Sequence, residues 1–314
     1  MSAGAVQRRA RVRAPAKINL DLRVLGKRPD GYHELRTIFQ TISLADTIDM
    51  AFTPARKTSI ELADDLAIPD NLAIRAARLA LEAMRKTGRV EMRLTKRIPM
   101  GAGLGGGSSD AAAVLLALPV LAGGRLSLPK LRALAEELGS DVPFFLLGGT
   151  AVGIGRGTEL FPLPDRPRGA GLLVTPGLHV NTAGAYRALS PRLTSESQQN
   201  KIVSFQTQSW GLGDAAAAND FEDVVFEQHR TLGVLKKKLL RAGASTAMMT
   251  GSGSALFGLF PTLAGALHAR KMLGEEKSFR FSPMSRVRYR RMWWRALEQH
   301  TNGRTWPPQS RYAR

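Results

Sequence analysis

The segment Ile98-Pro99-Met100-Gly101-Ala102-Gly103-Leu104-Gly105-Gly106-Gly107-Ser108-Ser109-Asp110 decides how the chain is read. Five of the seven residues from Gly101 to Gly107 are glycine, which lets a backbone take positive φ and approach a ligand closely. Val90–Thr95, just before it, alternates apolar and polar residues as a half-buried strand does. An Ala- and Leu-rich helix is expected from about Asp110. A glycine loop between strand and helix offers the free N–H groups and the positive dipole end of that helix, and both favour a phosphate. Ser108 and Ser109 can add hydroxyls toward a phosphate or a bound magnesium. A plain strand-to-helix turn with Ser109 as cap would not need so many glycines.

The kind of phosphate loop narrows by comparison with known patterns. Gly101, Gly103 and Gly106 fit G-x-G-x-x-G, but a dinucleotide site wants an acid roughly 20 residues on, and Leu126–Leu128 holds none. A Walker A loop needs lysine after its last glycine, and Gly107 is followed by Ser108. The H-R-D and D-F-G signatures of protein kinases are absent. A nucleotide loop without its own lysine remains, so positive charge must come from elsewhere. Ala14-Pro15-Ala16-Lys17-Ile18-Asn19-Leu20 places a lysine and an asparagine in an apolar stretch. Such a lysine either reaches the surface or is buried and paired. Met249-Thr250-Gly251-Ser252-Gly253-Ser254-Ala255-Leu256-Phe257 is a second small-residue loop far along the chain.

Outward from the loop, Thr37–Leu44 is strand-like, and Pro29-Asp30-Gly31 is a turn. Asp70-Asn71 caps a helix expected to run through Lys86 with Gly88 as its stop, and Ser127 caps another that ends before Gly139. Phe221–Arg241 reads as one helix, and Ala247–Phe260 as strand, loop, strand. Strands alternating with helices predict an α+β or α/β chain of two domains. The proline-rich stretch Leu160–Gly171 is the expected joint, giving residues 1–165, 166–277 and a basic tail at 278–314.

The composition excludes several classes. With no cysteine there are no disulfides, thiolate metal sites or cysteine nucleophiles, and the five histidines form no i, i+4 pair for zinc. Ala111–Ala122, the longest apolar run, is about half the ~20 residues that cross a bilayer, so neither a membrane role nor any localisation but the cytoplasm is expected. The net charge of +19 sits mostly at the ends, with +4 in residues 1–13 and +9 in 277–314. The tail's Trp293, Trp294 and Trp306 either stack on RNA bases or pack back on the protein, and packing is expected for Trp293 and Trp294, which lie in a possible helix at Met284–Gln299. A basic RNA-binding protein is therefore the rival class, with nucleic acid disfavoured as a partner.

The three segments together resemble the motifs of the GHMP kinases, the family of galactose, homoserine, mevalonate and phosphomevalonate kinases. Arg28-Pro29-Asp30-Gly31-Tyr32-His33-Glu34-Leu35 and Ser140-Asp141-Val142-Pro143-Phe144-Phe145 are similar to segments of those members that act on a cytidyl diphosphate alcohol. The resemblance implies an N-terminal α/β nucleotide-binding domain on a ferredoxin-like C-terminal domain. It implies ATP, with magnesium, phosphorylating the 2-hydroxyl of 4-diphosphocytidyl-2-C-methyl-D-erythritol by a monomer or weak homodimer. Asp141 and Lys17 would be catalytic. Asn71, Lys96 and the loop Pro99, Met100, Gly101, Ala102, Gly103, Leu104, Gly105, Gly106, Gly107, Ser108 and Ser109 would bind ATP. Asn19, Tyr32, His33, Thr182, Tyr186, Gly251, Ser252 and Gly253 would bind the alcohol, with the two tyrosines stacking on cytosine and His33 reading its edge. No residue is assigned as a metal ligand, since Ile154 stands where an acid is expected. Another GHMP-type alcohol, homoserine or mevalonate, is the alternative, against which the Tyr32-His33 pair argues.

Overall fold

The computed structural model describes residues 6–64, 67–165, 169–193 and 217–313. Two long strands, β1 (Arg8–Lys27) and β2 (His33–Pro54), form an antiparallel hairpin around the turn at Pro29–Gly31. On its other edge β2 carries β5 (Thr150–Gly155) beside its first half and β4 (Gly88–Thr95) beside its last. β3 (Ser59–Asp64) runs parallel to β4, and β6 (Glu159–Pro162) closes the other side. This six-stranded sheet is covered by α1 (Leu72–Met84), α2 (Gly106–Ala122), α3 (Leu128–Leu138) and α4 (Val142–Leu147). Every residue of α2 from Ser109 to Ala122 is buried, as a helix apolar on all sides must be.

The second sheet joins β7 (Ala170–Val174), β8 (Thr246–Met249), β9 (Leu256–Phe260) and β10 (Ser278–Phe281) in the antiparallel order β10-β7-β9-β8. Helices α5 (Thr182–Leu189), α6 (Phe221–Gln228) and α7 (Arg230–Arg241) fall between β7 and β8, and α8 (Leu263–Met272) between β9 and β10. That βαββαβ order is the expected ferredoxin-like arrangement. The two sheets meet in an apolar layer where Ala16, Ile18 and Leu20 of β1 face Leu173, Met248 and Phe257.

Several expectations are corrected. The helix α2 starts at Gly106 rather than near Asp110, so the last glycines are helical and not part of the loop. Helix α1 ends at Met84 with Arg85 left-handed at φ 52°, while Gly88 opens β4. The single helix expected over Phe221–Arg241 breaks at His229, whose φ of −131° and ψ of 73° leave the helical region without glycine or proline. The expected joint at 165/166 falls against residues 166–168, outside the described residues. Past the expected tail boundary at 277/278, Ser278–Phe281 pairs with β7 as an edge strand of the second sheet. Beyond it, α9 (Arg286–Ala296) docks on the first domain, with Tyr289 and Trp293 in its core. Among the described residues no helix is long and apolar enough to cross a membrane.

Candidate active site

The glycine loop lies where the two domains touch. Its backbone passes over β1, with the Lys17 N–H donating to Leu104 O at 3.0 Å. Gly103, at φ +75°, rests against the second small-residue loop: a Cβ there would meet Thr250 O at 2.1 Å. Gly105, at φ +67°, leaves room for Phe145 and for the stem of Lys17, whose Cγ would be 3.2 Å from a Cβ. The first-turn N–H groups of α2 have no intrahelical acceptor, and they point out at this loop.

Two cavities flank it. One, of about 360 Å³, is lined by the loop from Pro99 to Ser108 with Asn71, Lys96 and Asp110. The other, of about 830 Å³, has Lys17, Asn19 and Asp141 together with Tyr32, His33, Thr182, Tyr186, Gly251 and Ser252 in its wall. Gly103, Gly105 and Ser108 line both, so one loop separates the chambers and can be reached from each. Gly253 borders neither; it packs on Met249 and Val180 and shapes the loop from behind.

Lys17 is the buried, paired lysine. Its side chain is 4% exposed, its Nζ donates to Asn19 Oδ1 at 2.7 Å, and it lies 3.5 Å from Asp141 Oδ2. A bulge in β1 between Pro15 and Lys17 adjusts the register there. Asp141 stands at the N-terminus of α4 but caps nothing with its side chain, and a third of that side chain is exposed to the cavity. The carboxylate is thus anchored by one cation and otherwise open. Asn19 is corrected to a supporting part: its Oδ1 already accepts from Lys17, the Gly251 N–H at 3.0 Å and the Thr250 hydroxyl at 3.2 Å. Its Nδ2 donates to Thr37 Oγ1 at 2.7 Å. An oxygen so occupied holds Lys17 and ties the domains together rather than waiting for a ligand.

At the far end of the larger cavity the aromatic pairing differs from expectation. His33 stacks on Tyr186, with centroids 4.5 Å apart, and its Nε2 meets Ser190 Oγ at 3.1 Å. Tyr32 is half exposed and lies under the Arg156 guanidinium at 3.5 Å. The two tyrosines therefore do not form a sandwich. Burial, with the nearby Asp141 charge, pushes the Tyr186 hydroxyl up to about 12, and burial, with the Lys27 charge, lowers His33. Thr182 Oγ1 and Ser252 Oγ share a hydrogen bond at 2.8 Å across the cavity mouth.

On the nucleotide side two further expectations change. Ser109 is buried and its hydroxyl donates to Pro15 O at 2.7 Å, so it clamps α2 to β1 and is turned away from the loop. Lys96 is held between Asp46 and Asp110, the latter at 2.7 Å, which take two of its three N–H donors while it lines the cavity. Burial works against that ammonium, but Asp110 and Asp46 outweigh it and raise Lys96. Asn71 caps α1 through the Ala73 N–H at 2.9 Å, leaving its amide at the cavity edge.

Sequence reasoning missed Arg156 and Asp46. Arg156 lies in the glycine-rich stretch after Gly149, where a basic residue between two glycines was the available signal. Asp46 is a fully buried acid in β2, and it also accepts from the Arg97 and Ile98 N–H groups. Ile154, on β5, offers no acid, and among the described residues no three acidic or histidine side chains cluster as metal ligands.

A two-domain phosphate-loop protein with a lysine–aspartate pair at the domain seam is a small-molecule kinase in architecture. Residues 71–149 match the model of the GHMP kinases N terminal domain, and residues 202–277 that of the GHMP kinases C terminal domain. The chain belongs to the GHMP kinase family. It is 67% identical to 4-diphosphocytidyl-2-C-methyl-D-erythritol kinase of Solibacter usitatus over 97% of this chain and 98% of that one. It is 44% identical to the enzyme of the same name from Pelotomaculum thermopropionicum, over 81% and 90%. A crystal structure of 4-(cytidine 5'-diphospho)-2C-methyl-D-erythritol kinase matches at 36% identity with a TM-score of 0.73, covering 88% of this chain and 98% of that one. Homoserine kinase from Cytophaga hutchinsonii, at 18% identity and a TM-score of 0.66, shares the fold.

Proposed function

We propose that this kinase transfers the γ-phosphoryl group of ATP to the 2-hydroxyl of 4-diphosphocytidyl-2-C-methyl-D-erythritol, a step toward isoprenoid precursors. The observation that carries the reading is the meeting of Lys17 and Asp141, 3.5 Å apart, in a cavity that also reaches both the glycine loop and the His33–Tyr186 stack. An alcohol with a flat base at one end fits such a chamber, and a compact alcohol such as homoserine leaves the aromatic end unused. The names of the similar relatives support the same substrate.

In this mechanism Asp141 accepts the hydroxyl proton as the hydroxyl oxygen bonds to the γ-phosphorus and the bond to the bridging oxygen of ADP breaks. Lys17, 3.5 Å from the Asp141 carboxylate, offsets charge on the transferring group. The amides of the first turn of α2 and the Ser108 hydroxyl receive the phosphates. Magnesium enters as part of the MgATP substrate, and Ser108, at the junction of the chambers, suits an ion carried by phosphates. The exposed Trp-mediated RNA surface has little support, since Trp293 is 1% exposed within the core.

ATP consumption with the cytidyl alcohol, with Asp141→Asn alongside, tests the reading. Loss of a general base lowers kcat by roughly 10²–10⁴-fold, with little change in either KM. A folded wild-type protein that binds MgATP but leaves this alcohol untouched would remove the substrate assignment.

A further inference from the structure

The last thirty or so residues account for no step above, yet they are built into the first domain, on β1 through His300 and Arg9 O, on α2 through Ser310 and Val120 O, and on helix α4. That helix is six residues long, and Asp141 immediately precedes it. The carbonyls of a helix's last turn have no partner within the helix. Here the Gly148 N–H donates to Phe144 O at 2.9 Å, and the C-terminal segment supplies partners for the next two carbonyls. The Tyr289 hydroxyl donates to Phe145 O, and Trp306 Nε1 donates to Leu146 O at 3.0 Å. Arg286 reaches just beyond, with Nε donating to Gly148 O at 3.2 Å and a terminal nitrogen to Thr150 O at 2.5 Å.

The seat is shaped for this contact. Gly148, at φ +67°, lies so close under Tyr289 that a Cβ would fall 2.3 Å from the ring. The segment is itself fixed at its start, where the Met284 N–H donates to Thr41 O at 2.8 Å and Gln40 Nε2 donates to Met284 O at 3.1 Å. Tyr289 and Trp293 then sit in the first domain's core, and the Tyr289 ring meets Trp306 edge-on with centroids 6.1 Å apart. At the opposite end of α4, Asp141 has a single charged partner, Lys17, and no capping bond of its own. The helix is held in the core by Val142, Phe144 and Phe145, which pack among the residues of α2 and α3, and the C-terminal segment adds hydrogen bonds at its carbonyl end.

We infer that the C-terminal segment is a brace for catalysis, in which Tyr289 and Trp306 are positioning residues that hold α4 and so keep Asp141 facing Lys17 and the substrate hydroxyl. The inference rests on the role proposed for Asp141. A short helix released at its C-terminus can slide or rotate by a fraction of an ångström, and misplacement of a reacting group by about 1 Å costs roughly 10²-fold in rate.

The test is steady-state kinetics of Tyr289→Phe, Trp306→Phe and the double variant, in the full-length protein at a temperature where circular dichroism shows each folded. Asp141→Asn and Trp294→Phe are run alongside. Trp294 belongs to the same segment, but its Nε1 donates to Thr305 O at 3.0 Å and touches nothing in α4. Each brace variant is expected to lower kcat by roughly three- to tenfold, and the double variant by more than either, with KM for ATP and for the alcohol within about twofold. Trp294→Phe lowers the melting temperature and leaves kcat in place. Brace variants that lose melting temperature as Trp294→Phe does, with wild-type kcat, overturn the inference while leaving Asp141 as base intact. Full turnover by Asp141→Asn instead defeats the underlying reading of Asp141. Trp306→Phe supplies the test by itself should Tyr289→Phe not accumulate as folded protein.

Discussion

Replacing Gly103 by alanine should separate the two loops that close the site. The new Cβ would lie 2.1 Å from the Thr250 carbonyl oxygen and 3.3 Å from Gly251 Cα, both backbone atoms that no rotamer change can move. Contacts under 3.0 Å do not occur at a real Cβ, so the loops must part by roughly 1 Å. The positive φ of 75° adds about 1–2 kcal/mol of conformational strain. The displacement also pulls on the Thr250 hydroxyl, which donates at 3.2 Å to Asn19 Oδ1, the acceptor that holds Lys17. Loop, lysine and phosphate then lose register together. A shift of about 1 Å at reacting groups costs on the order of 10²-fold, or roughly 2.7 kcal/mol of activation free energy. The assay is coupled ADP release at saturating ATP and alcohol, with melting temperature recorded in parallel. Gly274→Ala is the control: its φ is +65° but nothing lies within 4 Å of a Cβ, so it carries the strain without the clash. If Gly103→Ala kept kcat within twofold of wild type while losing stability as Gly274→Ala does, the contact between loops would have no part in turnover.

Two further outcomes follow from the cavity and from the buried charges. His33→Ala should raise KM for the cytidyl alcohol roughly tenfold or more, since a base–aromatic contact is worth about 1–3 kcal/mol, and leave KM for ATP unchanged; equal effects on both would place His33 outside base recognition. Asp21 has its carboxyl raised from 3.8 to about 6, by burial first, against the pull of Arg23, with Oδ2 left without a partner. Because the folded state then holds the proton to higher pH than the unfolded state, stability drains away as pH rises from about 4 to about 6, by roughly 3 kcal/mol in all. Asp21→Asn should remove that slope, and denaturant melts at pH 4 and pH 7 would show it; an unchanged slope would exclude Asp21 as its source.

Much of the site was legible in the chain because its demands are local. The glycine-rich run before an apolar helix is legible by composition, since glycine most readily takes the positive φ seen at Gly101, Gly103 and Gly105. Lys17 in an apolar stretch read as either a surface-reaching or a buried, paired lysine, and in the structure it is buried against Asp141. What the chain could not disclose is how donors and acceptors are shared out once many candidates converge. Ser109, Asn19 and Lys96 have the right chemistry for ligands, yet the Ser109 hydroxyl is taken by Pro15 O, the Asn19 Oδ1 by the Lys17–Thr250–Gly251 donors, and two of the three Lys96 donors by Asp46 and Asp110. Hydrogen-bond capacity is finite, and which groups exhaust theirs depends on partners up to 232 positions away.

The C-terminal segment makes the same division plain. Its sequence set aromatics among arginines and indicated a possible helix at Met284–Gln299 with Trp293 packed; the helix runs over Arg286–Ala296 behind a Ser285 cap. Only the tertiary structure decided that Ser278–Phe281 belongs to the second sheet and which surface of the first domain receives Tyr289, Trp293 and Trp306. The reason is physical: an apolar face is written locally, but the surface that buries it, here the carbonyl end of α4 and the hollow over Gly148, exists only after the chain has folded.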